Sequence, residues 1–126
     1  MSATPESVIK KWRILVDRLI HYTDVKKIKW QPSADEDVFI TRVGNNQISI
    51  NQQNNRINWE VMDYVIKIYN EDGDVIDAFS DEDIGAQEYF KKMKELYLSI
   101  ARITNGTEEI LDSILRELPD PDEIPF

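Results

Sequence analysis

The chain has 126 residues, no cysteine and one histidine, and its 24 acidic against 15 basic residues give a formal charge of −9. Without cysteine there is no disulfide framework, thiolate nucleophile or Cys-type zinc site. The charge opposes any general affinity for phosphate backbones or anionic membranes, so neither nucleic acid nor membrane is expected as a partner.

The length suits a single domain, taken here as residues 1–118, with an acidic, proline-rich tail over 119–126. At 41% hydrophobic and 31% charged residues the composition is that of a folded globular protein rather than a disordered one. The first residues lack a basic start followed by an apolar core, and no apolar run approaches the roughly 20 residues of a membrane span. A cytoplasmic location is therefore expected.

In chain order, Thr4 is expected to cap a first helix, with Pro5 and Glu6 in its opening turn. Val8, Trp12, Leu15, Leu19 and Tyr22, widened by Ile9, Val16 and Ile20, form its core-facing stripe, and Lys10, Lys11, Arg13 and Arg18 lie on the other side. Alternation over Val25 to Trp30 predicts a strand ended by Pro32. Asp37 to Val43 is β-branched and aromatic, Gly44-Asn45-Asn46 is a turn, and Gln47 to Asn51 returns antiparallel.

Asn51 to Arg56 reads as a polar loop. A break near Met62-Asp63 should then precede a central strand from Tyr64 to Tyr69. Glu71-Asp72-Gly73-Asp74 turns the chain into a last strand, Val75 to Phe79. Two helices close the chain: one from about Ala86 to Thr104 with Phe90, Met93, Leu96, Tyr97, Ile100 and Ile103 in a stripe, ended by Asn105-Gly106, and one capped by Thr107 with Ile110, Leu111, Ile114, Leu115 and Leu118 turned inward. The order helix, five strands, two helices predicts an α+β domain: an antiparallel meander with the helices packed on one face.

Little in the sequence points to catalysis. His21 is alone near a helix end, the four glycines stand apart at turns, and the Gly73 loop has Ile68 where a calcium loop needs its first acid. No catalytic residue, cofactor or metal ligand is assigned, although a carboxylate-based enzyme site is carried as an alternative. Asn105-Gly106-Thr107 matches a glycosylation sequon but reads as a connection between helices.

Charge distribution is more informative. Between Asn70 and Glu88 stand Glu71, Asp72, Asp74, Asp77, Asp81, Glu82, Asp83 and Glu88, without one Lys or Arg. A repelling, solvated run of this kind favours a cationic partner surface, so Glu71, Asp72, Asp74, Asp77, Asp81, Glu82 and Asp83 are the candidate partner-binding residues. The chain is also polarised, with seven Lys or Arg over residues 10–30 and seven acids over 105–126. Neighbouring elements could neutralise one another, or the polarity could mark a docking face. Trp30, Phe39, Trp59, Tyr64 and Tyr69 are expected in the core, with an exposed aromatic patch on the sheet as the alternative.

The run from Tyr64 to Ile76, followed by Leu96-Tyr97 and Ala101-Arg102 on a helix and then a short acidic helix, resembles a group of small bacterial proteins to which no activity is attached. The likeness spans about the last half of the chain and implies structure only; Ile103-Thr104 departs from the basic or small residue usual after the Ala-Arg pair. At the level of fold, the chain is also similar to the small acidic chaperones of bacterial secretion effectors, but Asn51 to Arg56 is too short for their interior helix. The function expected is that of a non-enzymatic protein-binding module, such as a small inhibitor, immunity or adaptor protein, with an effector chaperone as the alternative. A homodimer is compatible with either.

Overall fold

A computed structural model describes residues 4–55, 57, 58 and 60–123. The elements run α1 (Glu6–Asp24), β1 (Gln31–Pro32), β2 (Val38–Val43), β3 (Asn46–Asn54), β4 (Met62–Tyr69), β5 (Val75–Ser80), α2 (Asp81–Ile84), α3 (Gln87–Thr104) and α4 (Thr107–Glu117), followed by a 3-10 turn at Pro121–Glu123. The five strands form one antiparallel meander in the order β1-β2-β3-β4-β5. The protein is an α+β domain, as its patterning predicts.

Register explains the core. Phe39, Ile50, Ile66 and Phe79 stand side by side across β2 to β5, and all four are buried. Because side chains alternate along a strand, Ile48 and Tyr64 lie on the same face. Against it α1 places Trp12, Val16 and Leu19, and α3 places Met93, Leu96, Tyr97 and Ile100. Trp12 stacks on Phe79 with centroids 4.8 Å apart, while Tyr97 meets both Phe39 and Tyr64 at 5.6 Å.

Several local expectations need correction. Pro5, not Thr4, occupies the cap position of α1, with no side-chain cap, and Gly106 rather than Thr107 precedes α4. Tyr22 is exposed and Leu15 only half-buried, because the stripe that reaches the sheet centres on Trp12, Val16, Leu19 and Thr23. No strand forms over Val25 to Trp30. The amides of Lys27 and Ile28 both donate to the Tyr22 carbonyl, and Lys26 takes φ +61°, so this stretch finishes the helix instead of joining the ladder. Pro32 lies within β1 rather than ending a strand before it.

The polar residues Asn51 to Asn54 extend β3, with Asn54 paired to Met62, so the expected loop begins later and Met62-Asp63 belongs to β4. The irregularity in β4 lies instead at Ile68/Tyr69, opposite β5. The largest departure is α4: Ile110, Leu111, Ile114, Leu115 and Leu118 are all exposed and none turns inward. Ile103 is exposed as well.

Candidate functional site

The β4–β5 turn is built around Asn70. Its side-chain oxygen accepts from the amides of Asp72 (3.0 Å) and Asp74 (2.9 Å), its amide donates to the Asp74 carbonyl, and Gly73 takes φ +88°. Glu71, Asp72 and Asp74 are held outward on this fixed loop, exposed to solvent. The positive φ is why glycine suits position 73.

The remaining acids are used differently. Half-buried Asp77 accepts from the Trp12 indole N–H at 2.9 Å and from the Ala78 amide, which fastens β5 to α1. Asp83 and Ser80 form a reciprocal capping box that starts α2, a short helix the sequence analysis did not anticipate although its Ser-x-x-Asp spacing is a cap signature. Glu82 is exposed and accepts from the Asn55 side chain, which also donates to buried Asp63 at 3.0 Å. Asp81 is buried, and its Oδ1 accepts from the Tyr64 amide at 2.8 Å. The structure thus divides the seven candidates: Asp77 and Asp81 hold elements together, whereas Glu71, Asp72, Asp74, Glu82 and Asp83 face solvent.

Burial, followed by the nearby Asp63 and Glu82 carboxylates, raises the Asp81 pKa, and the Tyr64 amide draws it partly back. A carboxyl whose folded pKa exceeds its unfolded value stabilises most below the unfolded pKa, and that contribution is lost as pH rises through the folded value. Asp81→Asn keeps an acceptor for Tyr64 without the charge. It is therefore expected to equal or exceed the wild type in stability near neutral pH and to remove the gain on mild acidification, read by denaturant melts across pH 3–8. Asp81→Ala strands the amide and should cost about 1–3 kcal/mol at every pH.

Beside this region, on the sheet face away from α1 and α3, a cleft of ≈ 460 Å³ is lined by Asn55, Asp63, Val65, Ser80, Glu82 and Asp83, among others. Among the described residues no group of three His, Cys, Asp or Glu side chains is placed to hold a metal ion. His21 is exposed in the last turn of α1.

The aromatic residues are mostly core. Trp30, Phe39 and Tyr64 are buried, the Trp30 indole donating to Thr23, and Tyr69 is half-buried with its hydroxyl 3.2 Å from that of Ser49. Trp59 and Arg56 lie outside the described residues. Among the described residues the basic segment 10–30 and the acidic segment 105–126 form no ion pair with each other. Among the described residues the single ion pair is Lys92 with Asp17 at 3.0 Å, a late base on an early acid, with the Tyr89 hydroxyl also donating to Asp17. Among the described residues no helix is long and apolar enough to cross a membrane. Comparison with family models, curated proteins and solved structures gives no match to this chain.

Proposed function

We propose that this chain is a non-enzymatic, cytoplasmic protein-binding domain that meets a basic protein partner through the acidic β4–β5 turn and the exposed acids of α2. The observation that carries this reading is that Glu71, Asp72 and Asp74 stand exposed on an ordered turn with no cation paired to them among the described residues. Three uncompensated carboxylates on one turn repel each other and add little to the fold, yet their field steers a cationic surface into contact. Because the Asn70 hydrogen bonds already fix the loop, docking requires little ordering of it.

The test pairs affinity capture from the source cell with on-rates for the captured protein. Replacing Glu71 with Gln and Asp72 and Asp74 with Asn should leave the melting temperature unchanged or slightly higher. Association should slow about tenfold at low salt, and wild-type binding should lose most of that advantage as exposed charges are screened beyond about 10 Å at 0.1 M. An on-rate indifferent to both the substitutions and salt would remove the main support for this reading.

A further inference from the structure

The cleft on the outer face of the sheet is built around a carboxylate that the fold leaves half-paired. Asp63, at the start of β4, is only 7% exposed and lines the cleft. Its Oδ2 accepts from the Asn55 side chain at 3.0 Å, while its Oδ1 has no hydrogen-bond donor among the described residues. Nor is Oδ1 walled in, since the sealed side-chain atom without a partner, among the described residues, is Arg13 Nε. The exposure that Oδ1 keeps is therefore toward the cleft. A carboxylate buried to this degree is normally met by a cation or by several donors, and among the described residues Asp63 receives one neutral amide.

Glu82 of α2 stands across from it. The Asn55 amide nitrogen bridges the two carboxylates, 3.0 Å from Asp63 Oδ2 and 2.6 Å from Glu82 Oε1, so these oxygens are no farther apart than the two distances together. Asn55 is fixed in this position. Its Oδ1 accepts from the Ile57 and Asn58 amides, and its own amide donates to the Val61 carbonyl. Gln53 and Ser80 add polar groups to the lining, and Val65 and Ala78 add an apolar wall. Asp81, whose pKa is raised by burial and then by the Asp63 and Glu82 carboxylates, adds to a negative charge that no ion pair among the described residues offsets.

We propose that this cleft seats the guanidinium group of an arginine from the basic partner, between Asp63 Oδ1 and the Glu82 carboxylate, with its alkyl stem along Val65 and Ala78. For the owner of the arginine this rests on the partner reading above; the cleft itself is tested without a partner. A planar guanidinium offers donors on two edges and so reaches acceptors on two residues at once, and it is less strongly hydrated than an ammonium, so it loses less on meeting a buried carboxylate. Almost the full length of β4 separates Asp63 from the acidic turn, roughly 20 Å. The two places therefore act on different steps, the exposed turn on approach and the buried carboxylate on retention.

Titrating the full chain with Nα-acetyl-arginine methylamide, followed through the amide resonances of Asn55, Asp63, Ser80 and Asp83, should give saturable shifts with a Kd on the order of 1 mM. The matching lysine amide should bind about fivefold more weakly. Asp63→Asn keeps an acceptor for Asn55 but removes the charge, and it should weaken binding about tenfold; Glu82→Gln, at an exposed position, should weaken it about threefold. Asp112→Asn, which removes one exposed charge from α4, should change nothing. With the captured partner, Asp63→Asn should raise the dissociation rate about tenfold and leave the on-rate nearly as it is. Shifts that do not saturate, a lysine amide that binds as well, or wild-type affinity in both Asp63→Asn and Glu82→Gln would overturn the cleft as a guanidinium site. A dissociation rate unchanged by Asp63→Asn would overturn the seating of the partner's arginine, whereas an on-rate indifferent to the turn substitutions counts against the turn alone.

Discussion

Trp12→Ala is expected to lower the unfolding free energy by about 3–5 kcal/mol, the range for deleting a large buried aromatic side chain. Three observations place Trp12 at the top of that range. The ring is buried, it stacks on Phe79 at 15° between planes, and its indole N–H reaches Asp77. Removing it opens a cavity between α1 and the sheet and leaves the Oδ2 of half-buried Asp77 without its donor, the Ala78 amide remaining on Oδ1. Trp12→Phe keeps a ring against Phe79 but loses the hydrogen bond and part of the buried ring volume, so its cost should be smaller, about 1–3 kcal/mol. A loss below about 1 kcal/mol for the alanine variant in urea melts would show that α1 is not fastened to β5 through this ring.

Ile66→Ala should cost about 2–5 kcal/mol, because Ile66 is fully buried in the central row between Ile50 and Phe79. Ile76, on the edge strand, is 57% exposed, and Ile76→Ala should stay within about 0.5 kcal/mol. The contrast tests the register itself. A slip of one residue would turn every side chain of a strand to the opposite face and bring the two costs together. Equal losses from the two substitutions in parallel denaturant titrations would refute the pairing described.

Most of the sheet and both long helices can be read from the residues. Gly44 and Gly73 mark turns, the β2 to β5 residues are rich in β-branched and aromatic types, and the stripes through Trp12 and Met93 locate α1 and α3. Where reading fails, the missing information is non-local. Alternation at Val25 to Trp30 looks like a strand, but the Tyr22 carbonyl has already taken the amides of Lys27 and Ile28. Asn51 to Asn54 is polar yet extended because β4 is long enough to pair with it, so strand formation there follows the partner rather than intrinsic preference.

The same limit applies to the acids and to α4. Periodicity shows that α4 has an apolar face but cannot say what lies opposite it. Likewise, eight carboxylates in a row look alike in the sequence, and only tertiary placement separates Asp77 and Asp81, which bind their own fold, from Glu71, Asp72 and Asp74, which do not. The Ser80 to Asp83 capping box was legible as spacing, but it is hidden within the charge run.

The sheet ends differently at its two sides, and this bears on how copies of the chain avoid pairing edge to edge. An edge strand offers unpaired amides and carbonyls to any other strand it meets. At one side β1 is only two residues long and contains Pro32, which offers no amide, so there is almost nothing to extend. At the other, β5 is six residues long with Val75 and Ile76 exposed, a template of the kind on which ordered aggregates grow. There the deterrent is Coulombic: Asp77 lies within β5 and Glu71, Asp72 and Asp74 flank its start, so a second β5 edge must approach against like charge. That protection is chemical rather than steric, and it weakens as added salt screens the exposed carboxylates. Raising the ionic strength therefore lowers a kinetic barrier to edge-to-edge growth without touching a single contact of the core.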